Sequence, residues 1–261
     1  MTTATEQTPK PTPRPRALIV TGGGRGIGAR IAVRAARGGT PVALLYHSRP
    51  ENAARVAAEI SESGGTAVAL QADVGTEADV ARAFTAAQEA LGPVGGLVNN
   101  AVLAGPPRRL AELPASELEA VFRTNVFGAF LCCREAARRM STSNGGAGGG
   151  IVTLSSAHAV STGAPGNWVH FAASKAALET MSRGLARELA GEGIRVNVVR
   201  PGVIRTESRL GQPKEHLERA AGQVPLGRMG TADEVAAAVL WLLSDEAAYV
   251  TAAMLDVAGG L

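Results

Sequence analysis

The sequence predicts an α/β fold, a single domain built on one doubly wound parallel sheet of about seven strands with helices on both faces. Three observations predict it. Short apolar runs alternate with longer, Ala-rich amphipathic segments from residue 17 onward, the βαβ rhythm that makes neighbouring strands parallel. A glycine-rich turn, Gly22 to Gly28, joins the first apolar run to the first helical segment. The chain has 261 residues, 46% hydrophobic and 19% charged, a composition that suits a real core and excludes disordered, collagen-like and disulfide-stapled classes.

Residues 1 to 16 alternate Pro9, Pro11, Pro13 and Pro15 with Thr, Lys and Arg. Such a stretch buries almost nothing and is expected to be an extended, mobile tail. Strands follow at 17–21, 41–46 and 66–72, with helices at 26–38, 51–63 and 77–91. The alternation continues with a strand at 95–99, a helix at 115–140, a strand at 150–155 and a helix at 170–191. A strand at 194–199, a helix at 231–244 and a strand at 253–257 complete it. Two connections break the rhythm. Residues 141–149 read as mostly flexible, and residues 202–230, polar and basic with Pro213 and Pro225, read as a lid over the carboxyl end of a strand, where such sheets bind ligands.

The net charge is +3, and Lys10, Arg14 and Arg16 against Glu6 put two of those charges in the tail. With nine aromatic residues and no basic run in the body, neither the phosphate-neutralising stripe nor the stacking platform of a nucleic-acid binder is present. Cys132 and Cys133 are adjacent in an apolar stretch and read as packing residues of a reducing compartment, with no metal-site spacing. No apolar run is long enough to cross a bilayer and the N-terminus has no signal-peptide core, so a cytoplasmic protein is expected.

Thr21-Gly22-Gly23-Gly24-Arg25-Gly26-Ile27-Gly28 lies between a strand and a helix, the context in which glycines let the backbone approach a pyrophosphate seated on the helix N-terminus. Its TGxxxGxG spacing resembles that of the short-chain dehydrogenase/reductase family, a Rossmann-type family, and the resemblance spans residues 17–261. Asp73-Val74 resembles the family's adenine-contacting station, and Asn99-Asn100-Ala101 its NNAG segment. Asn125 in TNVFG, Ser156 after the fifth strand and Lys175 match three of the family's four catalytic residues, Lys175 also serving the nicotinamide ribose. Asn197 to Gly202, with Pro201, then Ile204 and Thr206, match the stretch that wraps the nicotinamide side. The resemblance implies a small-molecule substrate and a homotetramer or homodimer.

The second strand ends in Tyr46-His47-Ser48-Arg49, without the acidic residue that binds ribose hydroxyls in an NAD enzyme. Arg25 and Arg49 can grip a phosphate, with His47 or Ser48 as hydrogen-bond donors, so NADP(H) is favoured over NAD(H).

The pattern breaks at Phe171, which stands where the family's catalytic Tyr belongs in YxxxK. Phe has no proton to give. The only tyrosines, Tyr46 and Tyr249, lie elsewhere, which leaves His158 and His170 as titratable substitutes. On a helix Phe171 and Lys175 share a face while His170 points about 100° away, so His158 is preferred. Ser156 lies 15 residues before Phe171, a longer interval than the family's usual one. Val102, Ala252 and Ala258 replace a Gly, a Gly and an Asp of the family pattern; Val102 crowds the nicotinamide pocket, and the other two are assigned to subunit packing. The lid's Arg205, Arg209, Lys214, His216 and Arg219 read as a solvated face, with an anionic substrate as the alternative. The leading reading is an NADPH-dependent reductase of a small organic carbonyl, quinone or imine. A cyclase, dehydratase or isomerase, or a catalytically silent dinucleotide-binding protein, is the alternative on the same fold.

Overall fold

The computed structural model describes residues 16–159, 167–207, 211 and 213–261. Residues 1–15 of the expected tail, 160–166 of the loop before Phe171, and 208–210 and 212 of the expected lid, Arg209 among them, lie outside the described residues.

Seven parallel strands form the central sheet: β1 (Ala17–Thr21), β2 (Val42–Tyr46), β3 (Ala67–Gln71), β4 (Val94–Asn99), β5 (Gly149–Leu154), β6 (Ile194–Pro201) and, after a separate two-strand ribbon, β9 (Met254–Val257). Their order is β3-β2-β1-β4-β5-β6-β9. β1 is buried on both faces, as a continuous apolar run in a covered parallel sheet must be. Its side chains alternate between two cores. Ile19 joins Leu45, Phe84, Leu97 and Ile151 on one face; Leu18 and Val20 join Ile31, Leu44, Val98 and Val152 on the other.

The first core is covered by α3 (Glu77–Leu91), α5 (Gly128–Met140) and α6 (Val169–Leu189); the second by α1 (Gly26–Arg37), α2 (Pro50–Glu62) and α8 (Ala232–Leu243). α8 begins in a capping box, in which the Thr231 hydroxyl accepts from Glu234 N and the Glu234 carboxylate accepts from Thr231 N. The chain runs outward from β1 in one direction and from β4 in the other. Thr21 and Asn99 therefore end adjacent strands at the switch point, where a crevice opens beyond their carboxyl ends.

The expected helix over 115–140 is interrupted. α4 (Ala115–Phe122) leads into one π-helical turn, Arg123–Phe127, before α5. The extra residue of such a turn rotates the helical face beyond it, and Asn125 sits inside the turn, buried. The connection 141–149 is not the flexible tether expected. Ser141 caps a short turn through Ser143 N, and a Cβ on Gly148 or Gly149 would lie 2.4 Å from Gly193 O or 2.2 Å from Gly95 O. Those glycines allow backbones to touch. Arg16, counted with the tail, fastens this turn by donating from Nη1 to the carbonyls of Ala147 and Gly148. Beyond β6, β7 (Ile204–Arg205) pairs with β8 (Gly230–Thr231), and α7 (Lys214–Gly222), which has no buried residue, lies between them in sequence.

Candidate active site

The two ends of the switch point are laced together. Thr21 Oγ1 accepts from Asn100 N and Ala101 N, both at 2.9 Å, and Asn100 Nδ2 donates to the carbonyls of Thr21 and Gly22. Gly22 has φ +64, open to glycine at little cost, and a Cβ on Gly28 would lie 2.5 Å from Gly22 O and Asn100 Nδ2. Any larger residue at Gly28 would unpick this lacing. α1 starts at Gly26, just after Arg25 and just before Ile27, with no side-chain cap and no acidic residue in its first turn. Its N–H groups and positive dipole end are thus left to an anion, the arrangement a pyrophosphate needs. Gly24 packs against the first turn of α2, since its Cβ would lie 3.2 Å from Ala53 N, and α2 begins directly after Arg49. His47, Ser48, Arg25 and Arg49 are all exposed, and among the described residues neither Arg25 nor Arg49 has a carboxylate partner. Arg55 does, pairing with Glu207 at 3.2 Å. These residues fit a dinucleotide.

On the opposite wall, Thr206 comes nearest Gly26, 3.7 Å from the position of its Cβ. Gly202 approaches Ala258 so closely that a Cβ would lie 2.7 Å from Ala258 Cα, which ties Ala258 to the Pro201-Gly202 turn. Ile204 is buried and paired with Gly230. Asp73 and Asn99 are more internally engaged than the sequence suggests. The Asp73 carboxylate accepts from Gly75 N at 2.9 Å and from Arg123 Nη2 at 2.8 Å, and Val74 packs on Gly128. Asn99 Nδ2 donates to Cys133 Sγ and Thr153 Oγ1 inside the core, so Asn100 and Ala101, rather than the Asn99 side chain, face the glycine turn.

At the other end of the crevice Asn125 is almost fully enclosed. It donates from Nδ2 to Leu103 O and Ser174 Oγ, both at 2.9 Å, and accepts from Leu103 N at 2.8 Å. The π turn thereby fixes the loop after β4, and Ser174 Oγ in turn donates to Phe171 O at 2.7 Å. Lys175 is buried. Its Nζ donates to Leu154 O at 2.7 Å and stands 5.8 Å from the centre of the Phe171 ring; burial alone lowers its pKa to about 8. Ser156 Oγ accepts from His158 N at 3.2 Å, which leaves its hydroxyl hydrogen to be donated. His158 is half-buried. His170 is buried with Nε2 3.2 Å from Ala104 O, so it faces the loop after β4, away from the Phe171 and Lys175 face, as the helical angle predicts.

Several residues that complete the site carry no motif. Glu179, one turn beyond Lys175, accepts from Ser155 Oγ at 2.8 Å and receives both arms of Arg200 at 2.7 and 2.6 Å. Burial pushes the Glu179 carboxyl up, but Arg200 and Ser155 outweigh it and hold it below the usual range. The spacing on α6, i to i+4 from Lys175, is the one signal the sequence offers for Glu179. Among the described residues no group of His, Cys, Asp and Glu could hold a metal ion, and no helix is long and apolar enough to cross a membrane. Cys132 and Cys133 are free and buried, and burial pushes the Cys133 thiol up to about 12.

The family described as Enoyl-(Acyl carrier protein) reductase matches residues 22–261. The chain is 46% identical over 244 residues to the Escherichia coli (strain K12) protein named Uncharacterized oxidoreductase YgfF, covering 93% of this chain and 98% of that one. It is 38% identical over 257 residues to an NADPH-dependent aldehyde reductase-like chloroplastic protein of Arabidopsis thaliana, covering 94% and 93%. A crystal structure of a dehydrogenase/reductase from Sinorhizobium meliloti 1021 superposes with a TM-score of 0.87 at 36% identity over 95% of both chains. The chain therefore belongs to the short-chain dehydrogenase/reductase family, oxidoreductases that use a nicotinamide dinucleotide.

Proposed function

We propose that the protein is an NADPH-dependent reductase of a small organic carbonyl, quinone or imine that works without the family's tyrosine. The observation that supports this reading is the Phe171 ring beside Lys175 Nζ, in a crevice to which Asn125, Ser156 and Lys175 are assigned. When bound, the dinucleotide supplies a hydride. Gly22, Gly24, Gly26, Gly28 and the α1 N-terminus hold its pyrophosphate; Arg25 and Arg49, with His47 and Ser48, hold the 2′-phosphate; Val74, Asp73, Ala101, Pro201, Gly202, Ile204 and Thr206 line its two walls. Ser156 donates its hydroxyl to the substrate oxygen. Lys175 contributes positive charge and hydrogen bonds, and Asn125 keeps the Leu103 wall and the Ser174 turn in register.

A positioned general acid is worth about 10² to 10⁴ in rate. Without the tyrosine, protonation falls to His158 or to solvent, and His158→Gln distinguishes them. The aromatic side chains Phe127 and Phe130, exposed on and before α5, support association into a homodimer or homotetramer.

The test is nicotinamide absorbance with the natural protein and Phe171→Tyr, each given NADPH or NADH and a panel of ketones, quinones and cyclic imines. Consumption of NADPH by the natural protein is expected. Consumption by the Tyr variant alone would shift the reading to non-redox catalysis on a retained dinucleotide, which Phe171 also favours.

A further inference from the structure

We propose that the substrate of this site is a quinone, lying against Trp168 with its reacting oxygen toward Ser156 and Lys175. The proposal rests on the reductase reading above and narrows its three substrate classes to one.

The first support is the missing acid. An alkoxide formed by carbonyl reduction has a basicity near that of hydroxide, whereas a phenol-type oxygen has a pKa of about 10. The anion left by hydride addition to a quinone is of the second kind. It is far less basic, so it survives to meet a proton from water instead of needing one as it forms. Phe171 removes what an alkoxide requires and a hydroquinone anion does not. The C–H bond of the dihydronicotinamide breaks and its hydride, with both electrons, forms an O–H bond at one quinone oxygen; the other oxygen, the one toward Ser156 and Lys175, becomes the hydroquinone anion and takes one proton from water, giving the hydroquinone and oxidised nicotinamide.

The second support is the local charge. Lys175 is buried, and its Nζ, which donates to Leu154 O, is held beside the Phe171 ring. A buried cation beside the substrate oxygen favours a developing oxyanion and opposes an approaching iminium, which sets imines aside.

The third is shape. Trp168 meets the Phe171 ring edge to face at a centroid separation of 5.8 Å, with the buried His170 ring parallel to it at 6.4 Å, so Trp168 and Phe171 set two aromatic rings side by side at the start of α6. His170 is held by Ala104 O, and Asn125 holds Leu103 by both backbone groups. That leaves the apolar side chains of Val102 and Leu103 exposed on the neighbouring loop. A flat, neutral, weakly polar ring suits such surroundings, since aromatic stacking is sequence-tolerant and needs no hydrogen-bond partner. The thiols of Cys132 and Cys133 are buried and neutral, so a quinone meets no nucleophilic sulfur among the described residues.

The experiment compares 1,4-naphthoquinone, acetophenone and a cyclic iminium with NADPH under anaerobic conditions, rates being corrected with heat-denatured protein. The quinone is expected to exceed the ketone by about 100-fold in kcat/KM for the natural chain. Phe171→Tyr is expected to raise the ketone rate about 30-fold or more while moving the quinone rate less than about threefold. Calorimetric titration of the cofactor-free protein with 1,4-naphthoquinone supplies a readout without turnover: Trp168→Leu weakens binding about tenfold and Trp168→Phe by less than about threefold, the latter covering a Leu variant that misfolds. A quinone no faster than the ketone, an equal gain for both on Phe171→Tyr, or binding indifferent to Trp168→Leu overturns the proposal. Turnover of ketone or imine without quinone overturns it while leaving the reductase reading intact; no turnover of any acceptor by either protein removes both.

Discussion

The ammonium of Lys175 faces the Phe171 ring at 5.8 Å from its centre, a cation–π contact between residues one helical turn apart on α6. The contact gives Lys175 little in exchange for its lost hydration, and burial lowers its pKa to about 8 from an ordinary 10.5.

The consequence for stability has a definite sign. A lysine whose folded pKa is depressed costs the native state while it is charged, and the cost fades as pH rises through 8 toward the unfolded value. Stability is therefore expected to rise between about pH 8 and 10 by up to roughly 3 kcal/mol from this group. Urea unfolding across that range checks it, and Lys175→Met should flatten the rise; a parallel profile for the variant would place its cause elsewhere.

Glu179 and Arg200 form the strongest pair in the described structure by burial, with side chains only 10% and 12% exposed. Removing one partner of such a pair leaves a buried charge and costs about 3–5 kcal/mol, so Glu179→Ala should lower the urea midpoint steeply. Glu179→Leu combined with Arg200→Met should recover most of the loss. Because the folded pKa of Glu179 is depressed, its contribution is present above the unfolded value of about 4.3 and disappears as pH falls through the lower folded one. Acid unfolding of the double variant should accordingly begin at lower pH than that of the natural protein.

The parallel sheet, the strand positions and the glycine turn were legible because they are written in local patterns: short continuous apolar runs, Ala-rich amphipathic segments and glycines at fixed offsets. β1 begins and ends where its apolar run does, at Ala17 and Thr21. The π turn at Arg123–Phe127 was not legible, since one added residue barely disturbs helical periodicity over a long segment. Nor was the role of Gly148 and Gly149, whose reason is a backbone from Gly95 and Gly193 far away in sequence. At the site, the family resemblance pointed to Asn125, Ser156 and Lys175, but the clamp of Asn125 on Leu103 and the turning of Asn99 into the core are tertiary facts with no local signature.

Sequence grounds assign Ala252 to subunit packing, yet its backbone shows a nearer consequence. It has φ +61, in the left-handed region, with its N–H donating to Val196 O at 2.8 Å. A Cβ there costs roughly 1–2 kcal/mol, partly offset by the greater chain entropy a glycine loses on folding. Ala252→Gly should stabilise the protein by about 0.5–1 kcal/mol and raise Tm by about 2 °C. Differential scanning calorimetry decides it, and a lower Tm would show that the lost methyl packing outweighs the relieved strain.

The proposed preference for NADPH rests on arginines without a carboxylate partner among the described residues. Arg55 is engaged by Glu207, whereas Arg25, in the glycine turn, and Arg49, at the start of α2, have no carboxylate partner among the described residues. The contact of Gly24 with Ala53 brings their two elements together, and β2 ends without the acidic side chain that would repel a 2′-phosphate. A hydrogen bond to a charged group is worth about 1.5–3 kcal/mol, so Arg49→Ala or Arg25→Ala should each weaken NADPH binding about 10- to 100-fold and leave NADH nearly unchanged. Arg49→Asp should go further and reverse the preference, because a carboxylate there both repels the phosphate and accepts from ribose hydroxyls. Fluorescence titration of both dinucleotides against the three variants makes the comparison. Equal losses for NADPH and NADH would mean that these arginines grip the shared pyrophosphate, not the 2′-phosphate, and the assignment of NADPH would fall with them.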